Sequence, residues 1–147
     1  MAGAIFVEGK DYVGGFNVDE RYGTVSIGST IYIARDIAGA SSQNGGNITY
    51  VTAKEPTKID LFNELKYTIN VVRSQKYNSD SHVELTVGFK DASGSWVCQK
   101  ALNYATLQSG EYSVSLGIKG EYYFAINAYT YQQYGKIAVH ITDARLT

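Results

Sequence analysis

The side chains in this chain able to do acid, base or nucleophilic chemistry are few and poorly spaced for it. His82 and His140 are the two histidines. Each falls on the polar phase of an alternating stretch, beside Glu84 and Thr142, and reads as a solvent-facing strand position. A metal site would need both rings to converge with a carboxylate, and no ligand spacing asks for that. Cys98 is the single cysteine, so the chain makes no internal disulfide and no Cys-type zinc site. No cation is placed to favour its thiolate, which makes it an inert, packed thiol. A serine nucleophile would need G-x-S-x-G between a strand and a helix, whereas Gly28-Ser29 sits in a strand-to-strand turn. Glycoside cleavage would need two carboxyls about 5 to 9.5 Å apart. Asp11, Asp19, Glu20 and Asp36 are loop-like candidates whose spacing singles out no pair. Gly14-Gly15 is a turn and not a phosphate loop, because no helix and no Lys-Ser/Thr follows it. No catalytic residue, metal ligand or cofactor is therefore expected. A structural calcium ion in loop carboxylates stays the open case, although no D-x-D-x-D spacing occurs; Asp80 and Asp91, flanking a strand, are expected to cap turns through their own side chains.

Aromatic residues give a stronger signal. In the stretch from Tyr122 to Tyr134, the phase that buries Phe124 and Ile126 sends Tyr123, Asn127, Tyr129 and Tyr131 outward. With Tyr134 this makes a tyrosine-rich strip with amide neighbours. Tyrosine offers a large apolar face and a hydroxyl at little rotamer entropy, which suits sugar stacking and protein contact alike. The competing expectation is that these rings simply pack across neighbouring strands. Trp96, just after the turn Asp91-Ala92-Ser93-Gly94, is either a core anchor or a platform at a sheet edge.

The elements that must position these side chains are strands. From His82 to Lys90, Val83, Leu85, Val87 and Phe89 point one way and His82, Glu84, Thr86 and Lys90 the other. Leu65 to Val71, Tyr112 to Leu116, Tyr122 to Ala128 and Ile137 to Ile141 repeat the pattern, the last two reading as a hairpin with the longer loop Tyr129 to Gly135. Shorter strands are predicted at Ile5 to Val7, Thr24 to Ile27, Ile31 to Ile33, Ile48 to Val51 and Ile59 to Phe62, about ten in all. Ala38 to Asn47 has no apolar period and reads as an exposed loop; Lys100 to Gln108 is too short for an independent helix and reads as a crossing between sheets. No linker and no internal repeat divides residues 1–147. Half-apolar antiparallel strands need a second sheet to cover them, so the expected fold is all-β: one antiparallel β-sandwich or jelly-roll domain.

With 13 Lys and Arg against 14 Asp and Glu, nothing favours charge-driven binding to nucleic acid. No run of about 18 apolar residues suggests membrane insertion. The start MAGAIFVEGKDY lacks the features of a secretory signal, and synthesis as a soluble cytosolic product is expected.

The rhythm of Tyr67 to Val72, Val83 to Phe89, the turn Asp91 to Gly94 leading to Trp96, then Tyr112 to Leu116, Tyr122 to Ala128 and Ile137 to Ile141 resembles the galactose-binding-like jelly roll of carbohydrate-binding modules. Domains of this look also occur in bacteriophage tail and fibre proteins. The resemblance spans Leu65 to Thr147, with G-x-Y-Y-F and G-K-I-x-V-x-I as its most specific words. It implies binding without catalysis, through loops at one end or a concave sheet face, and transfers no particular ligand residue. The first expectation is a non-enzymatic module of a phage or prophage particle that recognises a surface glycan or a partner virion protein through Tyr123, Asn127, Tyr129, Tyr131, Tyr134 and Trp96. The second is a purely structural, homo-oligomeric assembly protein. The third is a hydrolase using loop carboxylates.

Overall fold

Alternating apolar residues leave each strand with one face that must leave water, and two sheets supply each other's cover. The structure, a computed structural model, describes residues 3–7, 10–11, 14–20, 23–36, 48–76, 82–131 and 135–147, with the backbone alone at 7, 10, 11, 36, 48, 82 and 131. Among them are thirteen strands and no helix. They are β1 (Ala4–Val7), β2 (Lys10–Asp11), β3 (Phe16–Asp19), β4 (Gly23–Ile27), β5 (Ile31–Asp36), β6 (Ile48–Ala53), β7 (Thr57–Lys58), β8 (Glu64–Lys76), β9 (His82–Lys90), β10 (Trp96–Asn103), β11 (Gly110–Ser115), β12 (Glu121–Tyr131) and β13 (Gly135–Leu146).

One sheet has the order β11-β8-β13-β1-β2, with β5 also on β13 and β4 on β5. The other has the order β10-β9-β12-β6-β3, with β7 also on β12. The described pairings are antiparallel. This is the antiparallel β-sandwich expected from the alternation.

The core lies between the sheets. Val83, Leu85, Val87 and Phe89 of β9 and Phe124, Ile126 and Ala128 of β12 face Leu65, Tyr67 and Ile69 of β8 and Ile137, Val139 and Ile141 of β13, all essentially without solvent exposure. Phe89 and Phe124 meet edge-on, with ring centroids 6.2 Å apart; burying each ring is worth about 1.5–3 kcal/mol. Two polar features enter this core. Arg35 of β5 is fully buried and its Nε donates to Thr130 Oγ1 of the opposite sheet at 2.8 Å. Tyr67 is also fully buried and stacks on Tyr112, centroids 6.0 Å apart.

Several expectations need correction. β12 and β13 do not form a hairpin: β12 lies in one sheet and β13 in the other. Alternation says which face of a strand is buried but not which sheet owns it. β12 also runs on to Tyr131, into the expected loop. Ile59 to Phe62 is no strand. Ile59 is buried, but the Phe62 amide donates back to the Ile59 carbonyl at 3.1 Å, which makes a turn after the two-residue β7. The crossing between sheets starts later than Lys100, since β10 continues to Asn103 before a turn leads over to β11. Of the four loop-like acids, Asp11, Asp19 and Asp36 lie in strands and Glu20 follows one. The stretch Ala38 to Asn47 and Asp80 lie outside the described residues.

Candidate functional site

Because Phe124, Ile126 and Ala128 point into the core, the alternate residues of β12 occupy the outer face of its sheet. Register then decides their neighbours. Tyr123 stands opposite Lys90 of β9, and Lys90 is in turn opposite Trp96 at the start of β10. Ala125 lies between Gly88 of β9 and Thr52 of β6, and Asn127 between Thr86 of β9 and Tyr50 of β6. The middle row, Gly88, Ala125 and Thr52, is small. The rows on either side carry Tyr123, Lys90 and Trp96, and Tyr50 and Asn127. A trough between bulky rows results.

This trough is a groove of about 400 Å³, with Tyr50, Thr52, Lys90 and Tyr123 along it, Asn17 of β3 at one rim and the turn Asp91–Gly94 at another. That volume is within the range of ligand sites, about 300–1,000 Å³. Lys90 organises it. Its Nζ lies 4.6 Å from the Trp96 ring centroid and 5.7 Å from that of Tyr50, and donates to Asn127 Oδ1 at 3.3 Å. Cation–π contacts of this kind are worth about 0.5–1 kcal/mol at exposed sites and more when desolvated. Burial pushes the Lys90 ammonium below the usual lysine range.

The rim turn is built by Asp91, as expected for a capping aspartate. Its Oδ1 accepts from Ser93 Oγ at 2.6 Å and from the amides of Ser93 and Ser95 at 3.0 Å each. The Ser93 hydroxyl, followed by the Ser95 amide, holds the Asp91 carboxyl below the usual carboxylate range. At the edge, β10 comes unusually close to β9 through a bulge between Trp96 and Cys98. Only a glycine fits at position 88, since a Cβ there would lie 2.6 Å from Gln99 Cα. Cys98 is half-buried, and burial pushes its thiol up.

Of the residues expected from the sequence, Tyr123, Asn127 and Trp96 come together at Lys90. Trp96 is a half-buried sheet-edge residue and not a core anchor. Asn127 is only 8% exposed and forms the floor beneath Lys90. Tyr129 follows on the same face, opposite Glu84. Tyr131 pairs with His82 at the end of β12, its side chain not described, and Tyr134 lies outside the described residues. Tyr50 and Lys90 were not singled out from the sequence. Both sit on the polar phase of their strands, but nothing short of the pairing of β6 and β9 with β12 shows that they meet.

The groove's described lining holds one carboxylate, Asp91, and that one is engaged in its turn. A pair of acids, as glycoside cleavage needs, is not found there. Among the described residues no group of three His, Cys, Asp or Glu side chains is placed to hold a metal ion. His140, on the other sheet, instead shares a 2.5 Å hydrogen bond with Thr30 Oγ1 and packs on Tyr32.

No protein-family model matches the chain, and no curated protein matches it in sequence. Solved structures do match. A non-crystalline-cellulose-specific carbohydrate-binding module, CBM28, superposes with a TM-score of 0.56 at 13% identity over 99% of this chain and 95% of that one. A mutant of a family 29 carbohydrate-binding module gives 0.56 at 11% identity, over 98% and 89% of the two chains. The chain has the fold of the carbohydrate-binding modules. An agarase superposes with a TM-score of 0.60 at 10% identity, the likeness covering 99% of this chain but 26% of the enzyme. The likeness takes in β1 to β7 as well, well beyond the Leu65 to Thr147 stretch that carries the sequence resemblance.

Proposed function

We propose that this chain is a non-catalytic glycan-binding module and that the groove on the outer face of the β10-β9-β12-β6-β3 sheet is its binding site. The observation that carries the reading is the clustering of Trp96 and Tyr50 at the Lys90 ammonium, with Tyr123 opposite Lys90, beside an open groove lined by Tyr50, Thr52, Lys90 and Tyr123. Aromatic faces stack on the apolar faces of sugar rings, while the Lys90 ammonium and the Asp91–Gly94 turn offer polar contacts for hydroxyls. The fold shared with carbohydrate-binding modules supports the same reading. Tyr129, further along β12 and opposite Glu84, would extend the surface along the strand. The virion setting, self-assembly and cytosolic synthesis remain parts of the reading that rest on the sequence alone.

The test is a glycan-array screen of the purified domain, followed by titration of the best ligand with Trp96→Ala and Tyr123→Ala. Each substitution is expected to weaken binding tenfold or more, about 1.4 kcal/mol, with an unchanged circular-dichroism spectrum. Full binding by both variants would remove the assigned site.

A further inference from the structure

Lys90 is a half-buried cation with no acid paired to it among the described residues. Its ammonium has three N–H donors, and Asn127 takes one. Tyr50 and Trp96 offer ring faces, which attract a cation without accepting its remaining protons in the way a carboxylate does. Among the described residues no carboxylate is ion-paired with it. Asp91, the adjacent acid, is turned to Ser93 and Ser95. Burial lowers the affinity of Lys90 for its proton and no neighbouring acid restores it. A second cation, Lys54, lines the same groove past the end of β6, and among the described residues no ion pair engages it. Desolvated charges in proteins are ordinarily paired. Here Lys90, half-buried, and Lys54, exposed, both line the groove, where a ligand would lie.

We propose that the groove selects an acidic glycan, one bearing uronate units, whose carboxylate is received by Lys90 and Lys54 while its ring stacks on the flanking aromatics. This rests on the glycan-binding reading above and specifies its ligand class. A carboxylate supplies charge-assisted acceptors, which are shorter and about twice as strong as neutral ones. A neutral sugar hydroxyl would leave the ammonium charge uncompensated.

The experiment uses Trp96, the chain's single tryptophan, as a built-in reporter beside Lys90. Fluorescence titrations would compare oligomers of galacturonate, glucuronate and mannuronate, each against its methyl ester, which keeps the backbone and removes the charge. At least one acid form is expected to bind tenfold or more tightly than its ester at low salt. That preference should shrink as salt is raised, and it should fall by at least fivefold in Lys90→Met and in Lys54→Gln. Lys90→Met keeps the stem on the two rings, and Lys54→Gln, at an exposed position, guards against a folding defect in the first. Esters or neutral glycans bound as tightly as the acids would overturn the acidic-ligand inference and leave the glycan reading standing. An absence of binding to acids, esters and the neutral array alike would remove both.

Discussion

Replacing Gly88 by alanine puts one methyl group where β9 and β10 are closest. The added Cβ would stand 2.6 Å from Gln99 Cα and closer still to the Cys98 carbonyl oxygen. Carbon atoms in contact settle at about 3.5–4.0 Å, so β10 must retreat by roughly 1 Å, and the obstacle is backbone that cannot rotate away. Over-packing of this kind costs about 1–3 kcal/mol, and loosening the adjoining ladder around Gln99 and Lys100 adds about 1 kcal/mol for a hydrogen bond. A total of about 2–4 kcal/mol follows. With a urea slope near 2 kcal/mol/M for a domain of this kind, the midpoint should drop by about 1–2 M. Because β10 carries Trp96, the same retreat should draw the indole away from Lys90 and shift its emission to the red before any unfolding. Urea melts followed by Trp96 fluorescence and by circular dichroism read both effects. A variant with the parent's midpoint and emission maximum would refute the claim that this strand contact is closed to a side chain.

Two further outcomes are expected. Among the described residues the Tyr67 hydroxyl has no hydrogen-bond partner, and its burial, with Tyr112 second, raises the phenol's pKa far above the usual range. Tyr67→Phe should therefore leave stability unchanged or raise it by up to about 1 kcal/mol, and a loss of more than about 1 kcal/mol in a denaturant melt would reveal a partner for that hydroxyl. Asp91, whose carboxyl is held below its usual range by the turn, stabilises the fold as a carboxylate. Its contribution is full above the ordinary aspartate pKa and is lost as the pH falls through the lowered one. The melting temperature of the parent should thus exceed that of Asp91→Asn at neutral pH, with the gap closing in the acid range; a gap that widens on acidification would contradict the assigned hydrogen bonds.

Individual strand faces could be read from the sequence, and the sheets could not. Val83 to Phe89 alternate so regularly that their burial needs only the two-residue period. The same period made Tyr122 to Ala128 and Ile137 to Ile141 resemble a hairpin, although their partners are β9 and β6 on one side of the sandwich and β8 and β5 on the other. Which strand is a neighbour depends on packing between segments far apart in the chain. The site shows the same division. Tyr123 and Asn127 are placed by their phase on β12, and Trp96 by the turn before it. Lys90 and Tyr50 acquire meaning only when β9 and β6 flank β12 and bring an ammonium between two rings. β3 went unread although Phe16 and Val18 alternate with Asn17 and Asp19, because a run of four residues is too short for the period to stand out.

β1 lies against the far end of β13, Ala4 opposite Arg145, and the Leu146 amide donates to the Gly3 carbonyl at 2.6 Å. Residues 3 and 146 therefore sit side by side on the sheet opposite the groove. A domain with adjoining ends can be spliced into a host loop, or rejoined and reopened elsewhere, without stretching its chain. Tethers fused at residues 3 and 147 would therefore leave close together, from strands of the sheet that does not carry the groove.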